Sequence, residues 1–449
     1  MHELDMTADE LVSALLNLAS SERVCLLDSC GVGNLGSHLL IAGMESVETI
    51  EIMSDNAAHS LKVLDDKLSG ELACVFTLSY DLGLKMLDIE SRNKPFESTH
   101  EPDILLDCFD VLIVHDYDLG TTWLDGNKDN FEAVSRKLKQ NISDLRFEIS
   151  DAPSAVTSNF TKNEYLSAIE SIKESIRCGD TYQTNLTQQL TAKLPGDLTP
   201  ETIFARLRRD HPAPFSAFIK RSDSTVVSAS PERFFKVGGI GGNTTGGKCA
   251  EARIISTSPI KGTRPRGKTV GEDNALRQEL LASKKDRAEN TMIVDLIRND
   301  LGRICEYGSV RVEKLCDLEE HPTLFHLVST VTGDLRPNTK FSDILKAVFP
   351  CGSITGAPKI STMQIIDEIE TVDRGLSMGA IAIYIPDSMF EISGSRLELS
   401  VAIRTMVIRD QVAAFNVGGG IVIDSDPESE YDETLLKAKA LLAATGTSF

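Results

Sequence analysis

A lysine fixed in a rigid stretch beside two arginines is the first place in this 449-residue chain where residue types and spacing can do chemistry. The segment Pro259-Ile260-Lys261-Gly262-Thr263-Arg264-Pro265-Arg266-Gly267 is bounded by proline and glycine, a poor composition for a helix or a central strand, and it predicts a loop. A lysine freed of its proton by burial or by neighbouring cations is a nucleophile, and the flanking guanidiniums suit an anionic substrate. Taken alone, a solvated loop lysine fits the same residues.

Carboxylates form a second constellation. Asp426 reads as an N-cap with Pro427 at the first helical position, and Glu430, Glu433 and Lys437 then share one helix face at i, i+3 and i+7. Asp286 and Glu289 repeat the i, i+3 spacing on a helix expected over 272–302, where Glu289 precedes the apolar Met292, Ile293 and Val294. A carboxylate beside such a run needs a compensating partner, and oxygen donors with an anionic substrate point to Mg2+. Two solvated acidic helix faces fit the same spacing, because spacing cannot bring two helices together.

Other groups are weaker signals. Glu232, in Ser230-Pro231-Glu232-Arg233-Phe234, is a candidate general acid if its pocket raises its pKa; an ion pair with Arg233 is the plain alternative. Arg404, expected at a strand end, can clamp a carboxylate with its two-pronged guanidinium. His326 is a ligand contact or a satisfied core histidine. Gly352 to Lys359 precedes a helix expected over 360–370 and offers loop amides to an anion, but it lacks Walker A spacing. Gly418-Gly419-Gly420 lets backbone approach a ligand closely, or makes a simple tight turn.

The elements that must position these groups are legible in outline. Apolar runs of strand length occur at 24–29, 111–115, 215–220, 225–230, 379–385, 397–404 and 413–417. Thr161 and Glu164 make a capping box that opens a helix closed by Gly179. The segment 120–158 reads as the connection between an N-terminal lobe, 1–150, and a larger domain, 155–446. The glycine-rich stretch 238–247 reads as a hairpin tip or insertion. Many strands alternate, short turns join them, and no βαβ rhythm appears. We therefore expect an α+β fold: two large, mainly antiparallel sheets packed together and flanked by helices.

Composition narrows the functional classes. With 41% hydrophobic and 25% charged residues the chain is ordinary globular protein. A formal net charge of −21 argues against nucleic acid and anionic membrane surfaces as partners. Nine cysteines at irregular spacing, with no CxxC pair, suit reduced thiols rather than a zinc site. The acidic N-terminus lacks the basic start of a signal peptide, and no apolar run reaches bilayer length, so a cytoplasmic protein is expected.

Eight pieces, SPERF, PIKGTRPRG, DRAENTMIVDLIRNDLGRI, HLVSTVTG, GSITGAPK, AIRT, GGGIV and SEYDET, resemble in order the chorismate-utilising enzymes. That family includes the anthranilate, aminodeoxychorismate, isochorismate and salicylate synthases. The resemblance is strong over about 155–445 and weak in the N-terminal lobe. Within the family the chain is most similar to the aminodeoxychorismate branch: Lys261 stands where the anthranilate enzymes usually carry alanine, and Gly179 to Leu186 and Ala213 to Phe218 follow that branch's pattern.

The resemblance implies a fold of the anthranilate synthase component I type and a set of roles. Mg2+ held by Glu289, Glu430 and Glu433 would bind the ring carboxylate of chorismate. Asp286 matches a metal-shell position. Glu232 would protonate the departing ring hydroxyl, and Lys261 would attack ring carbon 2. Ammonia would then displace the lysine to give 4-amino-4-deoxychorismate for para-aminobenzoate and folate. Thr263, His326, Ser353, Arg404, Gly419 and Lys437 fall at substrate-contact positions. No glutaminase nucleophile elbow is present, so a separate glutamine amidotransferase subunit is implied as ammonia source. Some relatives bind tryptophan at the counterpart of Leu27, Asp28 and Ser29. The chain departs from the family at 375–384, where a large aromatic residue before a Gly-Tyr strand is missing.

Overall fold

The computed structural model describes residues 2–32, 38–92, 101–143, 156–239, 253–320, 324–386, 388–392 and 397–447. Most of the glycine-rich stretch read as a hairpin tip, from 240 onward, lies outside the described residues.

Two antiparallel sheets organise the chain, one of 12 strands and one of 10 among the described residues. Both recruit strands from early and late sequence. Val24–Asp28 pairs with Phe215–Lys220 in the first sheet, and Ala73–Leu78 pairs with Ala380–Tyr384 in the second. The sheets pack face to face. Cys25, Ala217, Ile219 and Val226 from the first join Val75, Phe109, Ile381 and Ile383 from the second in one buried cluster. Helices cover the outer faces, Ala8–Leu18 and Pro200–Asp210 on the first sheet and Ala57–Leu68 and Phe341–Val348 on the second. This is the α+β two-sheet architecture expected from the alternating strands.

Several elements form where local chemistry directs. The Thr161 capping box is present, with Lys162–Cys178 following it and Gly179 in the left-handed conformation that a helix C-terminus favours. Asp426 caps Pro427–Ala444 by accepting from the Ser429 N–H.

Other expectations are corrected. The single helix over 272–302 is two, Val270–Ala282 and Lys284–Gly302, because Ser283 leaves helical geometry and its hydroxyl caps the second helix at Asp286 N. The Lys261 segment is a strand, Ile260–Pro265, rather than a loop; it lies at a sheet edge, where Pro265 is tolerated. Gly418 to Gly420 make no turn but continue the Val412–Ile421 strand. Arg404 does not end a strand; it sits between Leu397–Val401 and Thr405–Arg409 with φ of 48°. The 120–158 segment contains a strand, Thr121–Gly126, and a helix, Phe131–Gln140. Among the described residues, no helix is long and apolar enough to cross a membrane.

Candidate active site

Lys261 gains its position from the glycine after it. Gly262 has φ of +90°, and a Cβ there would meet Asp286 Cβ at 2.9 Å, so only glycine lets this strand press onto the Lys284–Gly302 helix. A register break against the neighbouring Leu324–Asp334 strand falls between Ile260 and Thr263. Lys261 Nζ then donates to the carbonyl of Ser353 at 3.2 Å. Past the break, Thr263 pairs with His326, and Thr263 Oγ1 lies 2.9 Å from His326 Nδ1.

Glu232 is buried at the start of the Arg233–Gly239 strand. Its Oε1 accepts the Ser353 hydroxyl at 2.8 Å. Arg233 does not neutralise it, because Arg233 forks onto Glu398 instead, with Nε and Nη2 each 2.8 Å from Oε1. Burial raises the Glu232 pKa above the ordinary carboxylate range, against the opposing pull of Lys261, the Ser353 hydroxyl and the Ile260 N–H. Amine and acid therefore meet at one serine, which is held in the short Gly352–Ile354 turn.

The Pro427–Ala444 helix approaches from the other side. Lys437 Nζ lies 2.7 Å from Glu433 and donates to the Gly418 carbonyl at 2.9 Å. Gly419 faces the same helix; a Cβ there would sit 3.3 Å from Glu430 Oε2. Glu430 Oε1 accepts the Ser425 hydroxyl at 2.7 Å. Lys285 bridges the two carboxylate helices, with Nζ 3.6 Å from Glu430 and 4.0 Å from Glu289. Burial raises the Glu289 pKa, opposed by Lys261 and Lys285. Desolvation also pushes up the pKa of the exposed Glu433, but Lys437 outweighs that and holds it below the usual range.

As they stand, the described residues include no group of three acidic, histidine or cysteine side chains close enough to hold a metal ion. The donor chemistry nonetheless suits Mg2+. Glu289 Oε1 is buried without a hydrogen-bond partner, and an ammonium already stands between Glu289 and Glu430. Asp286 differs: its carboxylate pairs with Arg264 at 3.3 Å.

Arg404 stands apart. Its side chain makes no ion pair or hydrogen bond among the described residues, and burial alone lowers its pKa. A half-buried guanidinium without an anion is suited to receive one from a ligand.

Leu27, Asp28 and Ser29 do not join this site. They line a cavity of 60 Å³ between the sheets, with Phe215 and Ile383. Ser29 Oγ has no hydrogen-bond partner there, whereas Asp28 is engaged by Arg208 and Tyr117, each at 2.7 Å.

Sequence reasoning passed over Gln183. Both atoms of its side-chain amide are buried and unpartnered, and a Cβ on Gly420 would sit 2.4 Å from Gln183 Nε2. The available signal was the polar row Gln183, Asn185, Thr187 and Gln189 on one face of a strand whose other face carries Leu186 and Leu190.

The chain is similar to several known proteins. Anthranilate synthase component 1 3 of Haloarcula marismortui is 35% identical over 438 residues, covering 90% of this chain and 82% of that protein. Aminodeoxychorismate synthase component 1 of Bacillus subtilis is 35% identical over 386 residues, covering 82% and 75%. Aminodeoxychorismate synthase of Streptomyces pristinaespiralis is 43% identical over 280 residues, but the match covers only 62% of this chain and 36% of that protein. Among solved structures, anthranilate synthase component I from Streptococcus pneumoniae superposes with a TM-score of 0.69 at 26% identity, covering 93% of this chain and 92% of that one. The family described as chorismate binding enzyme matches residues 34–443, and the chain belongs to that family.

Proposed function

We propose that this protein is an aminodeoxychorismate synthase, converting chorismate and ammonia to 4-amino-4-deoxychorismate and water. The observation that carries the reading is the shared serine: Lys261 at the Ser353 carbonyl and Glu232 at the Ser353 hydroxyl. A nucleophilic amine and a buried acid are thereby set on one substrate.

The lone pair of Lys261 Nζ attacks ring carbon 2. The ring double bonds shift, and the bond from carbon 4 to its hydroxyl breaks. Glu232 gives its proton to that hydroxyl, which leaves as water. Ammonia then attacks carbon 4 and returns a proton to Glu232, the double bonds shift back, and the bond from carbon 2 to Lys261 breaks. Arg404 and Lys437 supply positive charge for the substrate carboxylates, with the Gly419 backbone, Thr263 and His326 as further contacts. Glu289, Glu430 and Glu433 would hold Mg2+, which when bound neutralises and orients the ring carboxylate.

Two partner assignments belong to this reading. The name of the Bacillus relative, component 1, supports a second component, here a glutamine amidotransferase delivering ammonia. The cavity at Leu27 to Ser29 supports a small-molecule site, which we assign to tryptophan; a melting shift with added tryptophan, abolished in Ser29→Ala, tests it.

The test of function is chorismate with Mg2+ and ammonium, for wild type and Lys261→Ala. Wild type is expected to release aminodeoxychorismate and to yield a Lys261 adduct by mass spectrometry. Relatives named anthranilate synthase support the sister reaction. Release of fluorescent anthranilate with pyruvate would select that reaction and reject ours. Unchanged turnover in Lys261→Ala would reject the covalent step alone.

A further inference from the structure

We infer that Glu370 and Arg374 are a positioning pair that fixes the Ser353 turn, and through it the Lys261 amine and the Glu232 acid; this rests on the roles proposed for those two groups. Both residues are 3% exposed. They are four apart but are not a helix-surface pair, because the Lys359–Ile369 helix ends at Glu370, whose backbone is extended at ψ of 139°.

The guanidinium forks onto the carboxylate. Arg374 Nε donates to Glu370 Oε2 at 2.9 Å, and Nη2 donates to Oε1 at 2.7 Å. A buried ion pair is retained at little penalty only when its remaining donors and acceptors are also satisfied. Here they are satisfied by backbone from two distant segments. Arg374 Nη1 donates to the Ile354 carbonyl at 3.0 Å, and Nη2 donates to the Asn185 carbonyl at 2.6 Å. Glu370 Oε1 accepts the Thr187 N–H at 2.7 Å and its hydroxyl at 2.9 Å. The Tyr80 ring, 4.5 Å from the guanidinium carbon, closes its face.

The placement of these bonds gives the pair its function. Ile354 directly follows Ser353, and Asn185 lies two residues along the strand from Gln183. A further bond, Asn185 N–H to the Thr355 carbonyl at 2.8 Å, docks the same turn on the same strand. Lys261 reaches the turn at the Ser353 carbonyl, and Glu232 reaches it at the hydroxyl. If the turn shifts, both reacting groups lose their common partner. Misplacement on the order of 1 Å is enough to lower turnover strongly without abolishing binding.

Arg374→Lys keeps the charge but loses the planar fork, and Glu370→Gln keeps the shape but loses the charge. Three measurements are made on each: thermal melting, steady-state chorismate depletion, and methylation of Lys261 by formaldehyde with cyanoborohydride, read by peptide mass spectrometry against exposed Lys193. The expected result is cooperative melting, kcat lower by about tenfold with KM changed by less than about twofold, and Lys261 methylated about threefold faster relative to Lys193. A cooperatively melting variant with wild-type kcat and a wild-type methylation ratio would overturn the proposal. Should Arg374→Lys fail to fold, Glu370→Gln decides. Methylation needs no turnover, so a wild type that consumes no chorismate rejects the functional reading while the positioning role is still decided.

Discussion

Ser353 donates its hydroxyl to Glu232 at 2.8 Å, and this bond ties the buried carboxyl to the residue whose carbonyl receives Lys261. A hydrogen bond to a carboxylate stabilises the ionised form and lowers its pKa. In Glu232 that pull opposes burial, which is the larger effect and raises the pKa. The serine thus sets where on the pH scale Glu232 still carries a proton to give away.

Ser353→Ala removes that pull, so the Glu232 pKa rises further. Activity that needs protonated Glu232 is lost as pH rises through this pKa. The descending limb of kcat/KM against pH, which reports the free enzyme, is therefore expected to move to higher pH, with kcat lower by about tenfold. A limb that stays in place would show that the serine does not govern this acid.

The glycines of the Val412–Ile421 strand separate function from folding. A Cβ at position 420 would meet the far end of Gln183, a flexible side chain, at 2.4 Å. A Cβ at position 418 would meet the Leu186 carbonyl, which is backbone, at 2.1 Å. Gly420→Ala is expected to fold and to lose turnover. Gly418→Ala is expected to lose about 2 kcal/mol of stability through forced strand displacement. Chemical denaturation and chorismate depletion, measured on both variants, distinguish the two effects.

The fold was legible wherever one residue decides a local outcome. Thr161, Gly179 and Asp426 each announce a helix end through capping chemistry, and each helix end lies there. The errors arose where the deciding contact lies far along the chain. Composition marked the Lys261 segment as a loop, but its outcome depends on an edge beside Leu324–Asp334 and on Asp286 beneath Gly262. Ser283 breaks a helix that periodicity ran together. The polar row around Gln183 does not say what it faces, and the Glu370–Arg374 pair has no local signature, because its meaning lies in which backbone atoms come to it from distant segments.

Lys285 occupies the place where a metal would compete. Its ammonium spans Glu289 and Glu430, and those carboxylates outweigh desolvation to raise its pKa. Binding Mg2+ there must displace it. Lys285→Ala is expected to tighten Mg2+ binding several-fold, on the order of 1 kcal/mol, in calorimetric titration of the free protein. Glu430→Gln and Glu433→Gln are expected to weaken it. Weaker Mg2+ binding in Lys285→Ala would mean that the lysine supports the site rather than competes for it.

Asp81 links stability to pH beside the Glu370–Arg374 pair. Its carboxylate accepts the Gly375 N–H at 2.9 Å, and desolvation by the surrounding protein, with Asp373 nearby, pushes its pKa up to about 8 from a usual value of 3.8. In the window between those values the folded chain keeps a proton that the unfolded chain releases. Stability must therefore fall as pH rises, with a limiting slope of about 1.4 kcal/mol per pH unit for one proton. The contribution is fully present below the unfolded pKa and is lost through the folded one. Asp81→Asn keeps an oxygen for Gly375 N–H but has no proton to lose. The variant's melting temperature is therefore expected to gain on wild type steadily as pH rises towards 8, and then to hold a constant lead. Melting curves for the two proteins that stay parallel across that range would show that Asp81 titrates alike in folded and unfolded chains.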